Sequence, residues 1–417
     1  GKEDVSVQPL VALLAQRTGK SVKMVFTRQE SILVHPKRHA TTIRIKLGAT
    51  GDGLLTAVDA TIWGDSGAYA SLTDHVMTRT ATHLAGPYVV PNVHVDCFAA
   101  YTNNPPAGAM RGFGVSQAAF AMESAMDMLA DRLGIAPLEL RRRNALTAGK
   151  VTSCNQLLTG SVGLLETIDR VETEIDRQGP QALIPSAPDR VRAWGVACCM
   201  KNVGLGGGAR DASGAEIVLG PDGKAEVRIG AAEVGQGLVT VAAQIASEEL
   251  GIPYGDVSVL IGDTARTLDG GATTASRQTF VTGNAVRRAA RQVRGLLAAG
   301  AGRDGLPVSA SAEYLAPATV RLAQPGDKHF AYGFATQAAL VEVEKASGRG
   351  KVLQVIAAHD VGRALNPEAA RGQVEGGVLM GVGFALSERL ELDHGVTRNP
   401  DLRRYRVPHI DAAPEVT

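Results

Sequence analysis

Residues 367–388 carry helical apolar spacing, yet Gly372, Gly376, Gly377, Gly381 and Gly383 all fall inside the stretch. Each glycine costs a helix interior roughly 1 kcal/mol relative to alanine. A helix so handicapped forms only if something offsets the loss. Close packing against another backbone or a bound cofactor is the natural compensation. The habit extends along the chain: 48 of 417 residues are glycine, above the roughly 7% average. They gather at a few motif-like sites rather than in low-complexity runs. Such a chain is built for backbone approaching backbone or ligand.

Three of these sites share a design. Ala232-Glu233-Val234-Gly235-Gln236-Gly237 leads into a predicted helix, placing an amide side chain and backbone N–H groups at its start. Gly270-Gly271-Ala272-Thr273-Thr274-Ala275-Ser276-Arg277-Gln278-Thr279 also runs into a helix, with a density of hydroxyls and small residues suited to a phosphate. Asp360-Val361-Gly362-Arg363-Ala364-Leu365-Asn366-Pro367 precedes the glycine-rich helix, where Gln373 lies near the start. A fourth stretch, Ala109-Met110-Arg111-Gly112-Phe113-Gly114-Val115-Ser116-Gln117, sets a guanidinium and a benzyl ring between glycines in a chain with only 4% aromatics. Taken singly, each is equally satisfied by a turn, a helix cap or a core phenylalanine. Together they offer amides, hydroxyls and N–H groups with few charges, a lining suited to a large polar ligand carrying phosphate and heterocycle.

Several function classes are excluded by composition. Lys and Arg number 43 against 42 Asp and Glu, so no global basic field draws nucleic acid or an anionic membrane. No apolar run reaches the roughly 18 to 20 residues that span a bilayer. The four cysteines, Cys97, Cys154, Cys198 and Cys199, form no C-x-x-C pair and no secreted disulfide framework. They read as small core residues in a reducing, cytoplasmic setting. Gly19-Lys20-Ser21 lacks the first glycine of a phosphate loop and reads as a helix end. His35 and His39 flank Pro36 and read as a basic loop rather than a metal site. Gly204-Leu205-Gly206-Gly207-Gly208 fails as a dinucleotide fingerprint, since no helix pattern follows it, but a loop close to a ligand remains open.

The expected fold class is α+β: two elongated mixed α/β subdomains with the cofactor between them. The first covers residues 1–150, a connection covers 151–190, and the second covers 191–417. Helices are expected at Pro9–Arg17, Gln117–Leu133 (capped by Ser116 and Gly134), Val239–Leu250 and Val281–Ala299. Strands are expected at Val22–Phe26, Thr41–Leu47, Leu54–Trp63 and Val191–Met200, with a hairpin turning at Pro221-Asp222-Gly223.

The four stretches, in this order, resemble the molybdenum-binding subunit of the xanthine dehydrogenase/aldehyde oxidase family. Gly1-Lys2-Glu3 looks like the end of its G-F-G-G-K-E loop, and AMRGFGVSQ is similar to its A-F-R-G-F-G segment. VGQG resembles its G-Q-G, TTASRQT its second cofactor loop, and DVGRALNP with GQVEGG its D-x-G-x-x-x-N-P and G-Q-x-x-G signature.

The resemblance implies molybdopterin with molybdenum, in plain or cytosine dinucleotide form. Val234, Gly235, Gln236, Gly237, Thr273, Ala275, Ser276, Gln278 and Gln373 would hold it, the metal being held through the pterin alone. Arg111 would lie near the metal, Phe113 would stack on an aromatic substrate, and Glu3 and Arg79 would contact it. Oxidative hydroxylation of an N-heteroaromatic, purine-like substrate or an aldehyde would follow, using oxygen from water. Electrons would pass to 2Fe-2S and FAD centres on partner subunits or further segments. The family's general base, a Glu in a G-x-G-E stretch, is not found in this sequence, so a further segment or subunit is expected to supply it and the isolated chain to be inactive. A non-catalytic molybdopterin-binding or assembly module is the alternative.

Overall fold

The computed structural model describes residues 5–302, 305 and 307–417. In chain order, the first half holds α1 (Gln8–Thr18), α2 (Arg28–Val34), β1 (Thr41–Ala49), β2 (Leu55–Gly67), α3 (Thr73–Thr82), β3 (Asn92–Tyr101), α4 (Val115–Leu133), α5 (Pro137–Asn144) and α6 (Leu164–Gln178). There follow β4 (Arg190–Val203), β5 (Ala212–Leu219), β6 (Ala225–Ile229), α7 (Leu238–Leu250), β7 (Val257–Ile261), α8 (Gln278–Ala298), β8 (Val308–Leu315), β9 (Ala331–Glu344), β10 (Gly350–Asp360) and α9 (Pro367–Leu386). Two short strands β11 (Leu392–Asp393) and β12 (Val396–Thr397), then α10 (Leu402–Tyr405) and β13 (Glu415–Val416), complete the described chain. Helices and sheets are mixed and no barrel forms among the described residues, as the α+β expectation requires.

Two compact units result. One comprises Asn202–Tyr332 with Arg363–Arg371. Its four-stranded sheet, in the order β7-β6-β5-β8, buries one face beneath α7 and α8. Ile217, Val227 and Ile229 of the sheet meet Ala242, Ala246, Ala285, Ala289 and Val293 of the helices. Alanines at the interface let helix and sheet backbones approach closely. The parallel β6–α7–β7 crossover brings the 230–237 connection to the carboxyl end of β6.

The larger unit holds residues 5–201, Gly333–Gly362 and Gly372–Thr417. Its first sheet, β1-β2-β3, packs Ala60 and Ile62 against Met77 of α3 and Ala118 of α4. Its second, β13-β10-β9-β4, is covered on one side by Val171 and Ile175 of α6 and on the other by Val374, Val378 and Val382 of α9. A buried polar knot fastens α4: Glu123 accepts from the Tyr88 hydroxyl, the Arg141 guanidinium and the Cys198 N–H. Burial pushes the Cys198 and Cys199 thiols up to about 12, which keeps both protonated and inert.

Local expectations need three corrections. Val22–Phe26 forms no strand and pairs with no described strand. The cap of α4 is Gly114, not Ser116, which sits one residue inside the helix. The 151–190 stretch, read as connection, contains the fifteen-residue α6, whose Leu164, Ile168 and Val171 are buried at helical spacing.

Candidate functional site

The connection from β6 into α7 is organised by Glu233. Its Oε1 accepts the N–H groups of Gly235 at 2.8 Å and Gly237 at 3.1 Å, and its Oε2 accepts that of Val239 at 3.1 Å. Burial raises this carboxyl's pKa, but N–H donation from Val239, Gly237, Gly235 and Gln236 outweighs it, and the net shift is downward. Gln236 closes the turn from the other side. Its Oε1 accepts from the Val234 N–H at 2.6 Å, and its Nε2 donates to the Ala232 carbonyl at 2.9 Å. Gly235 and Gly237 adopt φ of 95° and 84°. Where a Cβ would stand at either, no atom of the described residues beyond the adjoining ones lies within 4 Å. The loop is therefore rigid behind and bare in front.

The second loop is built around Arg277, which is 1% exposed. A cation beside a helix start is electrostatically unfavourable, and here it is neutralised by buried Asp211. The rest of the guanidinium donates to the carbonyls of Gly270, Ala272 and Ala212. With the Gly270 and Ala272 carbonyls drawn inward, the loop turns at Ala275 and Ser276. Both are in the left-handed region, at φ 54° and 51°, a conformation costing roughly 1–3 kcal/mol per non-glycine residue. Gln278 and Thr273 are buried and face the scaffold. Gln278 Nε2 donates to Thr273 Oγ1 at 3.1 Å, and its Oε1 accepts from Thr282. Thr273 Oγ1 also accepts the Ala232 N–H at 2.9 Å, tying the two loops together. Of the residues expected to hold a cofactor in this unit, Val234, Gly235, Gly237, Ala275 and Ser276 thus form the accessible surface. Gln236, Thr273 and Gln278 spend their polar groups on shaping it.

In the larger unit, Gly112, Phe113 and Gly114 adopt φ of 96°, 51° and 92° in succession. A Cβ at Gly112 would collide with the Ser116 hydroxyl, and one at Gly114 with the Val76 carbonyl and Thr80. The glycines let this turn press onto α3 while lifting Phe113, half-buried, between them. Exposed Arg111 reaches α9, where it donates to the Gln373 carbonyl and, at 3.3 Å, to Gln373 Oε1. Its guanidinium lies about 3.5 Å from where a Cβ of Gly377 would be and 3.6 Å from that of Gly376. At these distances a methyl group would make ordinary van der Waals contact, so Arg111 lies against this face of α9 without requiring either glycine. Gly383 is crowded by Pro408 and Glu388, whereas Gly372 and Gly381 meet nothing within 4 Å.

Beneath Arg111 lies Arg38. Its Nη2 donates to the Arg111 carbonyl at 2.7 Å, and its guanidinium sits 5.0 Å from the centre of the Phe384 ring. Its Nε and Nη1 are buried without a partner among the described residues, and burial lowers its pKa. Arg79 is half-buried on α3, close enough in electrostatic terms to depress Lys201 on β4, whose pKa falls to about 7 through burial first and Arg79 second. Glu3 lies outside the described residues.

The structure thus gathers the expected residues into two sets. Val234 to Gly237 and Thr273 to Gln278 share one unit, while Arg79, Arg111, Phe113 and Gln373 share the other. Sequence reasoning named no role for Glu233, Arg277, Arg38 or Lys201. Arg277 did leave a signal, since a lone cation among small hydroxyl residues at a helix start implies a buried counter-charge.

Comparison with known proteins fits this arrangement. Residues 1–145 and 170–414 match two molybdopterin cofactor-binding domain families. All of the chain aligns, at 30% identity, with 60% of the xanthine dehydrogenase molybdenum-binding subunit of Escherichia coli. A 170-residue stretch, 41% of the chain, is 51% identical to part of the nicotinate dehydrogenase large molybdopterin subunit of Eubacterium barkeri, covering 40% of that protein. Among solved structures, the aldehyde oxidoreductase of Desulfovibrio desulfuricans superposes with a TM-score of 0.91 at 26% identity, over 99% of this chain and 47% of that one. The chain therefore spans roughly half the length of the relatives it matches. The chain belongs to the molybdopterin cofactor-binding family.

Proposed function

We propose that these 417 residues form the cofactor-holding core of a molybdenum hydroxylase acting on an N-heteroaromatic, purine-like substrate or an aldehyde. The observation that carries this reading is the uncharged surface at Gly235, Gly237, Ala275 and Ser276, with open space over the two glycines and the hydrogen bonds of Glu233, Gln236 and Thr273 behind it. A cradle with open space over two positive-φ glycines fits a ligand that must approach the backbone closely. Val234, Gly235, Gly237, Ala275 and Ser276 would contact the molybdopterin, with Gln236, Thr273 and Gln278 fixing their shape. When bound, that group supplies two-electron redox chemistry and oxygen drawn from water.

This chain's own residues then bind and orient. Gln373 holds Arg111, which would lie near the metal; Phe113 would offer a stacking face, and Arg79 and Glu3 would polarise a heterocycle. Stacking on Phe113 contributes about 0.5–1.5 kcal/mol beyond area burial. The likeness to a nicotinate dehydrogenase subunit supports a heteroaromatic substrate. The cytosine dinucleotide form of the cofactor, 2Fe-2S and FAD centres on partner subunits and a cytoplasmic setting belong to the same proposal. So does a general-base glutamate supplied from outside these residues, and turnover is accordingly a property of the assembled protein.

Metal and pterin analysis of the intact native complex tests this, followed by a screen of purines, pyridine carboxylates and aldehydes. Molybdenum and pterin with turnover of one class support the reading. Cofactor without turnover of any favours the non-catalytic module, and neither metal nor pterin overturns both. Phe113→Ala should raise KM for aromatic substrates at unchanged occupancy, whereas Ser276→Ala and Gln236→Ala should lower occupancy.

A further inference from the structure

Helix α7 begins with a glycine cap that has no side chain to satisfy its first N–H groups. The open N-terminus of a helix is a ready anion site, and the neighbouring loop is the one assigned above to the cofactor. Here a carboxylate of the chain itself already occupies part of that N-terminus. The Glu233 carboxylate takes the N–H groups of Gly235, Gly237 and Val239, and the Gln236 N–H faces it as well. Gln236 uses both ends of its side-chain amide within the same turn. Two donors of the α7 N-terminus, those of Gly237 and Val239, are therefore taken internally, and Val234, 55% exposed, and the bare Cα atoms of two glycines face outward.

We propose that Glu233 is the positioning residue of the cofactor loop: its carboxylate gathers the backbone N–H groups of Gly235, Gly237 and Val239 and holds residues 234–237 in the docking shape before any ligand arrives. It acts through Gly235 and Gly237 rather than by touching the ligand. This rests on the reading that the loop holds molybdopterin. The carboxylate is specifically required. A glutamine in its place presents one acceptor and one donor, so its NH2 would oppose the Val239 N–H, and an alanine releases all these donors.

The test uses the intact complex carrying Glu233→Gln or Glu233→Ala, with molybdenum and pterin measured per chain and the thermal midpoint recorded in parallel. Loss of one or more hydrogen bonds to a charged acceptor predicts an occupancy about tenfold lower in the Gln variant, and lower still in Ala. A second measurement does not depend on the variants folding. In the wild-type complex stripped of cofactor, amide hydrogen exchange at Gly235, Gly237 and Val239 should remain slow, because these amides are bonded to Glu233 with no ligand present. Fast exchange there overturns the proposal, as does wild-type occupancy in the Ala variant. Should the wild-type complex hold neither molybdenum nor pterin while the loop amides stay protected, the cofactor reading fails and Glu233 keeps only its capping role.

Discussion

The guanidinium of Arg111 clasps Gln373, donating to its carbonyl and to its Oε1 across 262 residues of sequence. The two bonds are unequal, since the side-chain contact is 3.3 Å long and exposed. Gln373→Ala removes only the weaker one. We expect it to lower stability by no more than about 0.5–1 kcal/mol, with Arg111 still held by the helix carbonyl. Arg111→Ala leaves that carbonyl to water and uncovers Gly376 and Gly377, and should weaken α9 further. Paired thermal melts decide the order, and a larger loss in Gln373→Ala would contradict it.

Steric fit and backbone strain separate at two glycines flanking α4. Gly114 and Gly134 both adopt positive φ, 92° and 66°. A methyl at Gly114 runs into Val76 and Thr80, while one at Gly134 meets nothing within 4 Å. Gly134→Ala should therefore show strain alone, about 1 kcal/mol, and Gly114→Ala strain plus overpacking, about 3 kcal/mol or more. Urea denaturation of both variants measures the difference directly. Equal losses would mean that the turn at 112–114 yields where the structure holds it rigid.

Much of this architecture was legible from periodicity. The helices α1, α4, α7, α8 and α9 and the β5–β6 hairpin stand within a few residues of their expected bounds. Helix α3 escaped because it is polar overall and buries only Thr73, Val76, Met77 and Thr80, so no apolar stripe marked it. In α6 the apolar positions Leu164, Ile168, Val171 and Ile175 recur at helical spacing, a signal outweighed by the polar and proline-containing composition of the stretch around them. In the candidate site, the glycines and hydroxyls that touch open space were visible as motifs. The residues that shape them were not, because Glu233 acts through backbone donors beside it and Arg277 through a partner 66 residues away. Sequence shows composition at a surface; the hydrogen bonds that hold that surface depend on which peptide groups the fold turns inward.

The Arg277–Asp211 pair is one such hidden support, with side chains only 1% and 5% exposed. Arg277→Met leaves a buried carboxylate unpaired and three carbonyls without a donor. We expect a loss of about 3–5 kcal/mol. Asp211→Asn keeps the shape and removes the charge, stranding the guanidinium instead. In the double variant neither ion is left alone, so the two losses should fall well short of adding. A double-mutant cycle from chemical denaturation measures this coupling, and strict additivity would show that the two residues stabilise the loop independently.

Lys201 gives the protein a pH dependence of opposite sign to that of a paired lysine. Burial, then the nearby Arg79 charge, lowers its pKa from 10.5 to about 7. Between these values the unfolded chain binds a proton that the folded chain does not. The Lys201 contribution to stability therefore rises with pH across that window. Below it both states are protonated and the contribution is flat at its lowest, because the folded state bears the full cost of a buried charge. Lys201→Met removes the titration, so the stability difference between variant and wild type should narrow steadily as pH climbs from about 7 towards 10. Arg79→Gln should shift the lower edge of the window upward by relieving the repulsion. Denaturation midpoints of the three proteins across that pH range test both effects, and a Lys201→Met curve parallel to wild type would show that this ammonium titrates in the folded protein as it does in water.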